Sequence, residues 1–136
     1  MIASNPYQQY KEQSLSTLTP GELLVKLYDE LIKQMRIAIL QIEKDDFWNM
    51  SVALTKSNTI LGTLESSLDM QYEVSANLRD LYIFIANQLS QASEKKATKL
   101  IEECIPLVRG LRDAYEQADK KSRKAQSAVT MGGHAV

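Results

Sequence analysis

Long apolar runs, glycine, proline, cysteine and histidine are all scarce in this chain, and each scarcity closes off a class of structure or chemistry. No uninterrupted apolar stretch approaches the roughly 18 residues of a membrane-spanning helix, and the start carries no signal-peptide pattern. The expectation is a soluble cytoplasmic protein with no membrane insertion. A single cysteine, Cys104, rules out a disulfide framework within the chain. Five glycines, two of them among the last five residues, and three prolines leave few sharp turns, which favours a few long helices over many short strands. Sixteen Lys and Arg against seventeen Asp and Glu give a formal net charge of −1, too balanced to hold nucleic acid through a whole-domain field.

The side chains that would carry chemistry are equally sparse. The one histidine, His134, lies in the tail, so inward-facing Glu-x-x-His pairs for a di-iron site and a phosphorelay histidine on a helix face are both missing. Cys104 has neither a haem-attachment pattern nor a base beside it, and its place on an apolar stripe reads as a small buried hydrophobe. There is no Gly-rich phosphate loop. An anion-binding bundle enzyme would need interior Arg or Lys, and only Arg112 comes near the centre of a stripe. No enzyme, metal or cofactor is expected.

What the chain does have is 136 residues of helical periodicity, enough for one core. Thr19-Pro20-Gly21-Glu22 reads as a helix start, with Thr19 as cap, Pro20 where its missing N–H costs nothing and Glu22 as the capping-box partner. Leu24, Tyr28, Leu31, Met35, Ala38 and Ile42 then recur at steps of three and four over about 19–44, one face of an amphipathic helix. After a short break offering Asp45 or Asp46 as the next cap, Phe47, Met50, Leu54, Ser57, Leu61, Leu64 and Leu68 repeat the spacing over about 46–69. The tight connection makes the two helices an antiparallel hairpin. Val74, Leu78, Leu81, Tyr82, Ile85, Leu89 and Ala92 form a third stripe over about 73–92, and Ala97, Ile101, Cys104, Val108, Leu111 and Tyr115 a fourth over about 95–118. Pro106 falls inside the fourth and predicts a kink there.

The fold expected is therefore all-α: an antiparallel up-down-up-down four-helix bundle over 19–118. Residues 1–18 form a mobile N-terminal arm, with room for a short helical turn that would place Tyr7 and Tyr10 on one face. From Gln117 the apolar period stops, and 119–136, beginning with the basic Lys120-Lys121-Ser122-Arg123-Lys124, is expected to be a disordered tail. Some apolar residues lie away from the core stripes. Ile37 and Leu40 project from the charged face of the first helix, and Trp48 and Val52 do the same on the second. The hairpin brings Leu40 and Trp48 to one end, where the four residues can form a single contact patch. Ile60 flanks the second stripe, and Ile83 is a lone outlier on the third.

Taken in order, Asn5-Pro6-Tyr7-Gln8-Gln9-Tyr10, Thr19-Pro20-Gly21-Glu22-Leu23 with Leu27-Tyr28, Leu68-Asp69, Asn77-Leu78 with Leu81-Tyr82, and Leu111-Arg112 before an aromatic give the chain a family resemblance. It resembles the bacterial flagellar secretion chaperones of the FliS family over nearly all of 5–118. It departs from them at Ser57, where a small Ala is usual, at Tyr115, where Trp is common, and at Pro106, in a helix usually free of proline. The resemblance implies a non-catalytic cytoplasmic export chaperone. Such a protein binds the disordered C-terminal region of flagellin, prevents its premature polymerisation and delivers it to the flagellar type III secretion apparatus.

The resemblance also implies that the arm, with Tyr7 and Tyr10, covers part of the client surface until flagellin arrives. A disordered client that wraps a bundle lays short helices into its grooves, and side chains at stripe edges are suited to receive them. Met50, Ile60, Leu64, Tyr82 and Leu107 are the candidates, with core packing as their alternative role. The patch of Ile37, Leu40, Trp48 and Val52 is open to flagellin, to a co-chaperone or to weak dimerisation of an otherwise monomeric chain. The flagellar export gate is a further implied partner. The competing reading is a helical adaptor or homodimer that binds another flagellar or regulatory protein, such as an anti-sigma factor.

Overall fold

A computed structural model describes residues 18–134, with the side chains of residues 18–125. The described residues are all helix and connecting turn: α1 (Pro20–Glu43), α2 (Phe47–Ser66), α3 (Glu73–Lys95), a short α4 (Thr98–Glu102) and α5 (Ile105–His134). The four long helices form the expected all-α bundle. Tyr7 and Tyr10 lie outside the described residues.

Local chemistry sets the helix ends. The Thr19 hydroxyl accepts from the Glu22 N–H at 3.0 Å, and Pro20 occupies the first turn. Glu22 does not complete a capping box with Thr19; its carboxylate meets Arg123 at 3.3 Å. Between α1 and α2 the chain turns in three residues. Asp45 adopts a left-handed φ of 57°, and Asp46 caps α2 by accepting from the Asn49 N–H at 3.1 Å. The Asn49 side chain, donating to the same carboxylate, holds Asp46 below the usual carboxylate range. α3 ends at Lys96, again left-handed, whose Nζ lies 5.1 Å from the Phe47 ring centroid in a cation–π contact.

The core is built from the four stripes. Tyr28, Leu31, Met35, Ala38 and Ile42 of α1 are buried with Met50, Leu54, Leu61 and Leu64 of α2, Leu78, Tyr82, Ile85, Leu89 and Ala92 of α3, and Ile101, Cys104 and Val108. α1 is the hub, packed on α2, α4 and α5, while α2 and α4 carry α3. At the centre the Tyr28 and Tyr82 hydroxyls share a hydrogen bond of 2.5 Å, and the Tyr28 ring stacks on Tyr115 with centroids 5.7 Å apart. Buried polar groups are satisfied locally. The Ser57 hydroxyl donates to the Ala53 carbonyl at 3.0 Å, Ser75 to the Asp69 carbonyl at 2.6 Å, and the Gln34 amide to Glu30 at 2.9 Å.

Two expectations need correction. The fourth stripe is carried by two helices, not by one kinked helix over 95–118. The chain breaks at Glu103–Cys104, and α5 restarts so that Pro106 falls in its first turn, where no N–H is required of it. The helix also does not stop near residue 118 to leave a disordered tail. The apolar period ends at Gln117, but α5 runs on to His134. Polar contacts replace the apolar ones: Thr19 donates to Asp119 at 3.0 Å, and Arg123 pairs with Asp119 at 3.1 Å as well as with Glu22.

That junction brings the two backbones close. A Cβ placed on Gly21 would stand 2.8 Å from the Asp119 Cβ, inside the contact limit. Gly21→Ala is therefore expected to lower the unfolding free energy by about 1–2 kcal/mol, overpacking outweighing the helix propensity gained. Urea denaturation measures it, and a variant as stable as the parent would mean that the junction yields freely.

The core also makes stability pH-dependent. Burial, reinforced by the Tyr82 hydrogen bond, pushes the Tyr28 phenol well above its ordinary value of 10.0, and burial pushes the Cys104 thiol up from 9.0 to about 11. Both groups keep their protons in the folded chain at pH values where the unfolded chain has released them, so stability is full below pH 9 and falls as pH rises. Each such group contributes a slope of about 1.4 kcal/mol per pH unit above its unfolded value. Urea midpoints measured from pH 8 to 11 should fall less steeply above pH 10 for Tyr28→Phe than for the parent chain. Parallel curves would remove Tyr28 as the source.

Candidate partner-binding surfaces

α5 has two flanks of opposite character on either side of its core stripe. Arg112 points to α1, where its Nε meets Asp29 at 2.6 Å, and Nη1 meets Asp113 at 3.1 Å and the Glu116 carboxylate. A hydrogen bond from Lys120 and the charge of Arg112 hold Glu116 below the usual carboxylate range. With Asp29 against Arg112 and Glu22 against Arg123, α1 and α5 run antiparallel. Placed at 100° per residue, Leu107, Leu111, Ala114 and Ala118 fall on the opposite flank.

That second flank borders a seam. α3 and α5 have no extended backbone contact. Gln88 donates to the Leu100 carbonyl at 3.5 Å and to Glu103 at 3.3 Å, which turns its side of α3 towards α4 and α5. Leu81 and Phe84, seven and four residues before Gln88, share that side. The seam thus has Leu81 and Phe84 on one wall and Leu107 and Leu111 on the other. Phe84 is 47% exposed and Leu107 40%, while Leu81 and Leu111 are half-buried. All four side chains are apolar, and two of them are exposed.

Two further surfaces lie elsewhere. A groove of about 550 Å³ runs between α1 and α5 on the Arg112 side, lined by Ile32, Ile37 and Leu40 and by Lys33, Arg36 and Arg109. On the outer side of α2, Trp48 is 79% exposed and shares a shallow apolar recess with Val52, Ser51, Thr55 and Lys56.

The residues singled out in the sequence divide accordingly. Met50, Leu64 and Tyr82 are buried in the core and present no surface to a guest. Ile60 is half-buried at the core edge, and Leu107 stands at the seam. Ile37 and Leu40 line one recess and Trp48 and Val52 another, with no residue in common. Phe84 was not anticipated. The available signal was its spacing from Leu81 and Gln88, which marks a second apolar flank beside the main stripe. Among the described residues no group of His, Cys, Asp and Glu is arranged to hold a metal, and no helix is long and apolar enough to cross a membrane.

Comparison with known proteins agrees with this architecture. The family model for flagellar protein FliS matches residues 3–122. The flagellar secretion chaperone FliS of Bacillus subtilis is 36% identical over 124 residues, covering 91% of this chain and 93% of that protein. Its namesake from Salmonella typhimurium is 28% identical over 119 residues, covering 85% and 88%, and that from Vibrio cholerae 26% over 116 residues, covering 81% and 85%. An all-α bundle without a metal cluster in its described part, matched almost end to end by these proteins, belongs to the FliS family of flagellar secretion chaperones.

Proposed function

We propose that the protein is a cytoplasmic export chaperone that binds the C-terminal region of flagellin in the seam between α3 and α5, keeps it from polymerising and delivers it to the flagellar type III secretion apparatus. The observation that carries this reading is the seam itself. A neutral apolar strip flanked by two long helices suits a segment that is disordered alone and folds on contact, contributing side chains at helical spacing. Phe84 and Leu107 offer the largest exposed surfaces and act as anchors, with Ile60 a further contact outside the seam. Buried Tyr82 and Leu64 hold the bundle floor in place. Tyr7 and Tyr10 of the arm compete with the client for the same strip.

The test is a calorimetric titration of the full chain with a peptide covering the C-terminal region of flagellin from the same genome. One-to-one saturation, a negative heat-capacity change and a gain of helix by circular dichroism are expected. Leu107→Asp and Phe84→Asp should each weaken binding about tenfold or more, the equivalent of about 1.4 kcal/mol, with little change in stability. Removal of residues 1–18 should tighten it. Failure of the folded parent chain to bind at tens of micromolar, or binding indifferent to both aspartates, would sink the reading.

A further inference from the structure

The groove between α1 and α5 lies on the flank of α5 opposite the seam, and the client reading leaves it unused. Its composition is specific. Ile32, Ile37 and Leu40 are its apolar lining on α1, and Lys33 and Arg36 of the same helix, with Arg109 of α5, are its basic lining. Asp29 and Asp113 also line the groove, but both are engaged by Arg112. Among the described residues, Lys33, Arg36 and Arg109 form no salt bridge and are exposed. The result is a locally basic groove on a chain whose formal net charge is −1.

We infer that this groove is a second docking site, for an acidic amphipathic helix of a partner protein. Asp29 to Leu40 spans eleven helical steps, about 17 Å, so the site accepts about three turns of a guest helix. An apolar stripe on that helix covers Ile37 and Leu40, and its carboxylates reach Lys33 and Arg36 on α1 and Arg109 on α5. A bare phosphate or a nucleic-acid backbone would leave the apolar lining uncovered. The N-terminal arm does not fit, because Glu12 is the only acidic residue among the first eighteen. Charges placed this way raise the association rate and reject basic partners.

The test uses the full chain and two labelled synthetic helices of about 14 residues, one with a leucine stripe flanked by glutamates and one with lysines in their place, a length matched to three to four turns. Fluorescence anisotropy should show saturable binding of the acidic helix only, weakening with added salt. The double variant Arg36→Glu with Arg109→Glu should lower affinity for the acidic helix at least tenfold and admit the basic one. Leu40→Asp should weaken binding of the acidic helix, whereas Ile83→Asp, on an exposed face of α3, should not. Circular dichroism verifies that each variant keeps its helicity. Equal binding of the two peptides, or a charge-reversed double variant that binds as the parent does, overturns the inference. So does light scattering that shows a dimer dissociated by Leu40→Asp, since a second copy would then occupy the groove.

Discussion

The hydrogen bond between the Tyr28 and Tyr82 hydroxyls fixes the geometry on which the rest of the bundle depends. Tyr28 is fully buried on α1, reaches α3 through its hydroxyl and lies against α5 through the stack of its ring on Tyr115. Three of the four long helices therefore meet at one side chain. Aromatic rings are long spacers. Helices packed on Ala or Leu stand close enough for backbone contact, whereas α3 and α5 have no extended backbone contact and are each tied to α1 through the cluster of Tyr28, Tyr82 and Tyr115.

The same logic explains why α5 carries different chemistry on its two sides. Towards α1 it presents Arg112, Asp119 and Arg123, which pair across to Asp29, Thr19 and Glu22. Exposed pairs of this kind contribute little stability each, and their value lies in fixing register. They set the antiparallel alignment of α1 and α5, and beyond Gln117, where apolar contacts cease, they are the described contacts between the two helices. Among the described residues no salt bridge joins α5 to α3, and Leu107 and Leu111 lie on that side.

Much of the fold was legible in the sequence because burial follows period. Nearly every residue of the four stripes is buried or half-buried, and the caps at Thr19 and Asp46 lie where residue type places them. The exceptions have local causes. Phe47 and Val74 sit in the first turns of their helices, at the ends of their stripes, and remain exposed. Within a continuous helix Pro106 predicts a kink, although proline is equally at home in a first turn, and only the turn at Glu103–Cys104 distinguishes the two. The apolar period of α5 ends at Gln117, but a helix can continue past it on charged pairs. Binding surfaces were far less legible. Periodicity ranks residues by their angle to the core, but whether an edge position is covered depends on the distance to the neighbouring helix. Met50, Leu64 and Tyr82 turned out covered, and Phe84 did not.

Separation of the core from the binding flanks also has an energetic consequence. The buried set closes on itself, so the bundle does not need a guest to complete its core. On the function proposed above, a client taken into the seam would gain its binding energy from Phe84, Leu107 and their neighbours, less the entropy of ordering the client. Because ordering a disordered segment offsets much of the gross contact energy, a large interface on this strip would then have an affinity low enough for release. A chaperone that finished its own core with its client would have to unfold to let go; one with a complete core and an open seam only has to lose the guest.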